Sequence, residues 1–320
     1  MKRRILAVIA FVALAMPAFA QAFPVTIEHK FGSTTIPAKP TRVVSLGFTG
    51  HDDILALGVV PVGLRWWYGD YPDGVWPWAQ DALQGQHPVQ LKGDLNVEQV
   101  AALQPDLIIA IGSGITEEQY GLLSQIAPTV ANGAEYGDYG VPWDVSAHIT
   151  GLVLGEVEKA DAMIADINAR ISAIATAHPD WQGKTAAVAF YWNDAPGAYR
   201  SIDSRAHLLE AFGFTTPDAI NAAGTPDAFF VSLSAEDLTP LDTDVLIWFD
   251  EFENIEKLTL RTTLKAHTEG REIFSDDLLS GAFSHSTLLS LPYALENLVP
   301  LIEVAVDGDP ATVVPGSEGK

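Results

Sequence analysis

The chain has 320 residues, a net charge of −23 from 18 basic and 41 acidic side chains, and no cysteine. A chain this acidic is repelled by phosphate backbones and by anionic lipids, which excludes nucleic acid and membrane surfaces as partners. The absence of cysteine excludes disulfide bonds, thiol catalysis and thiolate metal sites.

The first 22 residues have the pattern of a secretory signal peptide. Basic residues at positions 2–4 precede the apolar run ILAVIAFVALAM, which is too short to span a bilayer. Ala18-Phe19-Ala20 then supplies a small-x-small cleavage pattern. We expect cleavage near residue 22, a periplasmic location and no lipid anchor, because no cysteine stands at the cleavage site. The mature chain then has 15 basic and 41 acidic residues, or a charge of −26.

Two α/β lobes are predicted for the mature chain, which is longer than one typical domain. In the first lobe, residues 23–143, the apolar runs RVVSLG and VVPVGL alternate with a helix around Asp52 to Leu57. In the second, residues 179–306, the strand TAAVAFYW is followed by the helix AHLLEAFGF. Such alternation is typical of parallel sheets covered on both faces.

The two lobes share an internal repeat. The segment NVEQVAALQPDLIIAIG from Asn96 aligns without a gap on SAEDLTPLDTDVLIWFD from Ser234. In both, a capping residue and a short helix precede a buried strand. Glu98 and Glu236 fall on each other in this alignment, so each should occupy the second helical position of its copy.

A single helix is predicted between the lobes, over residues 144–178. Its apolar residues recur at helical spacing, and its length of about 50 Å is enough to brace two lobes. The lobes should therefore move little against each other. The last segment, residues 307–320, is polar and rich in Pro and Gly, so we expect it to be disordered.

These motifs resemble the periplasmic substrate-binding proteins of iron-siderophore, haem and cobalamin ABC importers. The resemblance rests on IPAKPTRVVSLG, GDLNVEQVAALQPDLIIA, the long helix, and Gly270-Arg271 followed by AFSHSTLLSLPYALENLVPLI. It covers residues 27–306. It implies a clamshell of two Rossmann-like lobes joined by one backbone helix, with the ligand held between the lobes by loops at the strand ends.

Within this resemblance, the aromatic loop LRWWYGDYPDGVWPWAQ should face the cargo. It follows the strand VVPVGL, and its glycines and prolines exclude helix and strand. Trp66, Trp67 and Tyr68 are predicted to contact a bulky, partly aromatic chelate. Arg65 could clamp an anionic chelate through charge and stacking, or form a surface ion pair.

Further candidate ligand residues follow other strands. Trp192, Tyr199 and Arg200 lie in FYWNDAPGAYRS, and Trp248 with Asp250 ends the strand of the second repeat, where Trp248 faces either ligand or core. Ser113 stands in IGSGITEE, which lacks the Walker lysine and is therefore expected to let the backbone approach a ligand. His285 in FSHS could reach the cleft, although a histidine metal site is the minority interpretation.

The resemblance implies that the protein carries a ferric siderophore to the permease dimer of an inner-membrane ABC importer. Glu98 and Glu236 would then pair with arginines of the two permease subunits; otherwise they are first-turn carboxylates favoured by the helix dipole. The protein is expected to be a monomer without a cofactor, with iron entering only inside the chelate. Haem or cobalamin cargo, and a periplasmic hydrolase, are the alternatives; no GxSxG elbow or other catalytic motif supports the hydrolase.

Overall fold

A computed structural model describes residues 23–225, 228–249 and 252–317. The predicted signal peptide, Asp250 and the last three residues of the predicted tail lie outside this part of the chain. The described residues form two five-stranded sheets flanked by helices, one before residue 143 and one after residue 179. The predicted α/β fold class is confirmed.

The first sheet is parallel throughout. A hairpin of β1 (Val25–His29) and β2 (Gly32–Ile36) precedes it. Its strands are β3 (Val43–Ser45), β4 (Gly63–Arg65), β5 (Val89–Leu91), β6 (Leu107–Ile109) and β7 (Thr129–Val130). They lie in the order β5-β4-β3-β6-β7, and every residue of β3 and β6 is buried. Short apolar strands buried on both faces are what a central parallel sheet requires.

The second sheet is mixed. Its strands are β8 (Ala186–Trp192), β9 (Ala195–Tyr199), β10 (Phe230–Ser232), β11 (Val245–Trp248) and β12 (Glu272–Phe274). They lie in the order β10-β9-β8-β11-β12, with β8, β11 and β12 parallel and with β9 and β10 antiparallel to their neighbours. The carboxyl ends of β8, β11 and β12 therefore share one edge of the sheet.

Helices flank both sheets. The α-helices are α1 (His51–Ala56), α2 (Val97–Ala102), α3 (Glu117–Leu123), α4 (Trp143–Leu154), α5 (Val157–Ala177), α6 (Ser204–Ala211), α7 (Asp218–Ala223), α8 (Phe252–Ile255), α9 (Lys265–Thr268), α10 (Asp277–His285) and α11 (Ser290–Ala305). Short 3₁₀ helices occupy Pro72–Gly74, Pro77–Leu83, Pro179–Trp181, Thr239–Leu241 and Thr259–Thr263.

The prediction of one helix over residues 144–178 is wrong, because this segment forms the two packed helices α4 and α5. Gly155 adopts the left-handed conformation (φ 69°), and its N–H caps the carbonyls that end α4. A Cβ on Gly151 would lie 2.5 Å from the Cβ of Ala160, so the two helices are in close contact. The 21 residues of α5 still span about 32 Å between the sheets. One hydrophobic cluster continues from the first sheet through both helices into the second sheet.

The repeat forms an α-helix only in its first copy. Asn96 caps α2 by accepting the N–H of Gln99, as predicted, and Glu98 lies in its first turn. In the second copy, Ser234 to Asp237 form a turn, followed by the 3₁₀ helix at Thr239–Leu241. Pro240 excludes a regular α-helix there. Glu236 therefore does not occupy the second position of an α-helix, which corrects that prediction.

The strands of the repeat do correspond, and an aspartate serves the same purpose before each. The Asp106 carboxylate before β6 accepts the N–H groups of Thr41 and Arg42 at 2.8 Å, and the Asp244 carboxylate before β11 accepts the N–H of Thr185 at 2.8 Å. Partial burial opposes ionisation at both sites, but these hydrogen bonds outweigh it and lower the pKa of Asp106 and of Asp244. Each carboxylate thus fixes the start of the neighbouring strand.

The predicted disordered tail is ordered over residues 307–317. Val314 is buried in the main hydrophobic cluster. The Asp307 carboxylate accepts the N–H of Asp309 at 2.7 Å and the hydroxyl of Thr312 at 2.8 Å. One buried valine and an aspartate turn are enough to hold this polar segment, and composition alone does not reveal them.

Candidate functional site

A cavity of about 1080 Å³ lies where the two lobes meet. Trp67 and Tyr68 enter it from the loop after β4, while Phe249 and Ser275 directly follow β11 and β12. Its remaining lining comes from the second lobe: Tyr199, Arg205, Phe229, Phe252, Asn254, Phe274, Asp276, Asp277, Leu278, Ser280 and Ser284. The carboxyl ends of parallel strands are the usual place for ligands in open α/β sheets.

The aromatic loop builds its own small core and presents only part of its aromatic set to the cavity. Trp76 is buried and stacks on Trp78, with ring centroids 4.9 Å apart. Trp66 donates its indole N–H to the carbonyl of Gly69. Trp67 remains 39% exposed and lines the cavity beside Tyr68. The loop therefore braces itself with most of its rings and offers Trp67 and Tyr68 to a ligand.

His285 supports the aromatic loop from behind instead of facing the cavity. Its ring is buried, and its Nδ1 lies 2.9 Å from the carbonyl oxygen of Gly281. The rings of Trp67, Tyr68, Trp76 and Trp78 surround it at centroid distances of 5.3 to 5.9 Å. The pKa of His285 is lowered to about 4, mainly because the ring is buried, so the ring is neutral at neutral pH. His285 is not among the residues that line the cavity, so the structure does not support its predicted contact with ligand.

Arg205 is the basic residue among the described lining residues, and the sequence analysis did not identify it as a candidate. It lies in the first turn of α6, whose N-cap is Asp203. The Asp203 carboxylate accepts two hydrogen bonds from the guanidinium, both at 2.8 Å, and Ser284 accepts a third at 2.9 Å. The guanidinium also lies 3.7 Å from the ring centroid of Tyr199. The sequence Asp203-Ser204-Arg205, in which the aspartate caps the helix, is the sequence feature that could have indicated this position.

Two tyrosine hydroxyls, those of Tyr68 and Tyr199, also belong to the polar part of the lining. Burial raises the pKa of Tyr68 to about 12, against the opposing effect of a hydrogen bond with Ser284. Burial also raises the pKa of Tyr199, although Arg205 acts in the other direction. Both phenols keep their protons at neutral pH and can donate a hydrogen bond to a ligand oxygen.

Arg65 and Ser113 form a neighbouring wall on the first lobe. Arg65 donates to the carbonyl of Ser113 at 2.8 Å, and its guanidinium lies 4.2 Å from the ring centroid of Phe48. Phe48 in turn contacts Trp67 and the exposed Tyr139. Burial lowers the pKa of Arg65 from its ordinary value, with Tyr139 and Asp94 opposing the effect. This wall adjoins the lining residues without belonging to them.

Two predicted ligand residues are structural. Trp248 is fully buried and donates its indole N–H to Glu272 at 2.8 Å. Arg200 is buried and donates to the backbone carbonyl of Asn221 at 2.9 Å, with further bonds to the carbonyls of Thr225 and Ala228. Neither side chain is among the lining residues, which corrects the expectation that they face the cavity.

The other predicted residues lie at the surface. Trp192 is 66% exposed next to the tight turn of the β8–β9 hairpin, where Asn193 and Asp194 have positive φ. Glu98 and Glu236 are exposed. Of the ten predicted ligand residues, the cavity lining includes Trp67, Tyr68 and Tyr199. Their contact with cargo remains a prediction.

In the part of the chain that the structure describes, no three His, Asp or Glu side chains are grouped so that they could hold a metal ion. Within the same ranges, none of the helices has the length and apolar character needed to cross a bilayer. The fold and the cavity together define a two-lobed α/β binding protein.

The chain belongs to the periplasmic binding protein family, whose model matches residues 43–275. It is 31% identical over 233 residues to the probable siderophore-binding lipoprotein YfiY of Bacillus subtilis, covering 70% of this chain and 68% of that protein. It is 28% identical to the Fe(3+) dicitrate-binding periplasmic protein FecB of Escherichia coli, covering 64% and 66%. The family resemblance predicted from the sequence is confirmed.

Solved structures of the same fold agree with this assignment. A periplasmic solute binding protein of Mycobacterium smegmatis superimposes with a TM-score of 0.79 at 33% identity, covering 88% of this chain and 99% of that chain. PiaA of Streptococcus pneumoniae, solved in complex with ferrichrome, gives a TM-score of 0.73 at 29% identity, covering 89% and 99%.

Proposed function

We propose that the protein captures a ferric siderophore in the cavity between its lobes and delivers it to an ABC importer. The observation that carries this proposal is the aromatic lining of the cavity. Seven of its lining side chains are aromatic: Trp67, Tyr68, Tyr199, Phe229, Phe249, Phe252 and Phe274. Its volume of about 1080 Å³ suits a bulky ligand.

The chemistry of this lining fits a chelate whose iron is already coordinated. Apolar rings pack against the organic shell of the chelator, and the hydroxyls of Tyr68 and Tyr199 can meet its oxygen atoms. The names of YfiY and FecB, and the ferrichrome held by PiaA, support this cargo class. We propose that no resident cofactor is needed, since the iron travels as part of the cargo.

The proposal is tested by titrating tryptophan fluorescence with ferric siderophores of several chelator classes. Because Trp67 lines the cavity, iron-loaded chelates should quench emission saturably, and Trp67→Phe should reduce the quench. Trp181→Phe is the matched control, because Trp181 is buried in a cluster with His178, Phe212 and Phe214. No saturable response to any ferric siderophore would contradict the proposal.

Haem and cobalamin are the alternative cargoes, and the same titration separates them. Among the described lining residues, neither histidine nor methionine is available as an axial ligand for haem iron. Tyr68 is a poor substitute, because its raised pKa keeps the phenol protonated.

We propose that the protein performs no chemistry on its cargo. Mass spectrometry should recover the siderophore unchanged after long incubation, whereas accumulating cleavage product would favour a hydrolase.

We further propose that Glu98 and Glu236 dock the protein, as a monomer, on the two subunits of a permease dimer. Both side chains are exposed, one on each lobe, and exposed charges set orientation and association rate more than affinity. Glu98→Ala and Glu236→Ala should leave cargo binding unchanged and lower uptake by reconstituted transporter vesicles several-fold. Glu117→Ala, an exposed first-turn acid of α3, is the matched control. Normal uptake by the double variant would contradict this role.

We propose the periplasm as the location, in line with the family and with the pattern of residues 1–22. Osmotic shock should release the protein, and the mass of the released chain should match cleavage near residue 22. Retention in the membrane fraction with the mass of an attached lipid would contradict this.

A further inference from the structure

The charges that line the cavity differ from those expected for an anionic cargo. Arg205 is the basic residue of the described lining, and its charge is already matched by the bidentate contact with Asp203. Both members of this pair are buried. The guanidinium N–H groups that donate to Asp203 are not available to a ligand carboxylate. Separating a buried ion pair is also energetically costly.

Two acidic side chains, by contrast, face the cavity without a cation. Asp276 caps α10 through the N–H of Leu279 at 2.7 Å, and Asp277 begins the same helix. Both are exposed and line the cavity, and neither has a lysine, arginine or histidine partner within 4 Å among the described residues. The described lining therefore carries an excess of negative charge.

The influence of these aspartates extends over the aromatic part of the site. Burial, and then Asp277 and Asp276, raise the pKa of Tyr71 in the aromatic loop. Asp277 also contributes to the raised pKa of Tyr68, although burial is the larger cause. On the first lobe, Arg65 lies beside the lining, with its guanidinium against Phe48 and the carbonyl of Ser113. On the second lobe, Arg261 lies against the lining rings of Phe252 and Phe274, but its charge is matched by the buried Glu272 carboxylate. These cations lie outside the lining, so the two aspartates that face the cavity keep their excess of negative charge there.

Chelator classes differ in the charge that they leave around ferric iron. Three hydroxamates, each a monoanion, balance the ferric charge and give a neutral complex. Three catecholates, each a dianion, leave a triply anionic complex, and citrate-type chelates are also anionic. An anionic complex needs unpaired cations in its site, since burying an unpaired charge is expensive.

We propose that the cargo is a neutral or cationic ferric hydroxamate, and that Asp276 and Asp277 select against anionic chelates. This inference rests on the proposed siderophore-binding function and narrows it to one chelator class. The neutral shell would pack on the aromatic lining, and an ammonium group on the chelator would be attracted by the two aspartates.

The test is an equilibrium titration of the mature protein with four probes of graded charge. They are ferrioxamine B, which is cationic, ferrichrome, which is neutral, and the anionic ferric enterobactin and ferric dicitrate. We expect the first two to bind at least tenfold more tightly than the last two. Raising the salt concentration should weaken ferrioxamine B and should not weaken the anionic probes.

Asp277→Asn isolates the proposed cause. It should reduce the preference for ferrioxamine B over ferric enterobactin by about two- to fivefold, the effect of one exposed charge. Asp218→Asn is the matched control, because Asp218 is an exposed first-turn aspartate of α7 outside the cavity, and it should change nothing. Tighter binding of an anionic chelate, or an unchanged preference in Asp277→Asn, would overturn the inference and leave siderophore binding standing. If no ferric chelate binds at all, the proposed function fails as well.

Discussion

Replacing Arg205 by alanine should lower the free energy of unfolding by about 3–5 kcal/mol, the usual cost of removing one partner of a buried ion pair. The Asp203 carboxylate would lose both charged hydrogen bonds while remaining buried. The ring of Tyr199 and the hydroxyl of Ser284 would also lose their contacts with the guanidinium. Chemical denaturation of the mature protein without cargo measures this change.

Two variants separate the buried pair from a general effect of losing an arginine. Arg170→Ala removes an arginine whose partner Glu296 is largely exposed, and it should cost about 1 kcal/mol or less. Asp203→Asn in the Arg205→Ala background removes the stranded charge and keeps a capping side chain, so it should recover part of the lost stability. If Arg205→Ala is no more destabilising than Arg170→Ala, the buried pair does not hold this wall.

Replacing Asp53 by asparagine should stabilise the protein at pH 8 by a few kcal/mol. Asp53 lies on α1, is 2% exposed, and accepts the backbone N–H of Leu288 at 3.0 Å from the second lobe. Burial raises the pKa of this carboxyl to about 8, a smaller rise comes from Asp52, and the Leu288 bond opposes both. An asparagine amide oxygen can still accept that hydrogen bond, without any proton to lose.

The sign of the pH dependence follows from the raised pKa. Between pH values of about 4 and 8 the folded state holds a proton on Asp53 that the unfolded chain has lost. This carboxyl therefore makes the free energy of unfolding fall as the pH rises through that window. The Asn variant does not lose stability in this way, so the difference between its free energy of unfolding and that of the wild type should grow from pH 5 to pH 8. The control is Asp166→Asn on the exposed side of α5, whose free energy of unfolding should follow that of the wild type. A constant difference across the window would contradict the assignment.

The alternation of apolar runs and helical patterns predicts most of the architecture, because buried parallel strands leave little choice of residue. It fails where local chemistry interrupts a periodicity. A glycine turn at Gly155 splits the connecting helix without disturbing its apolar spacing. Pro240 turns the second copy of the repeat into a 3₁₀ helix, although the alignment of the two copies has no gap.

The site is harder to predict, because a one-residue difference at a strand end decides which side chain reaches the ligand. Trp248 is the last residue of β11 and points into the core, whereas Phe249 directly after it lines the cavity. Arg200 and Arg205 are both arginines and are five residues apart. Arg200 donates its hydrogen bonds to backbone carbonyls. Arg205 lies in the first turn of α6, which places it in the cavity wall. The sequence identifies the right loops, and packing selects the residues.

The most direct test of cargo binding between the lobes is calorimetric titration of the mature protein with ferrichrome. We expect one binding site, and a loss of affinity of more than tenfold when Trp67 and Tyr199 are both replaced by alanine, since buried aromatic contacts are worth about 2 kcal/mol or more. Trp192→Ala, an exposed tryptophan outside the cavity lining, should bind like the wild type. Ferrichrome binding that is unaffected by the double replacement, or weakened equally by Trp192→Ala, would contradict a site in this cavity.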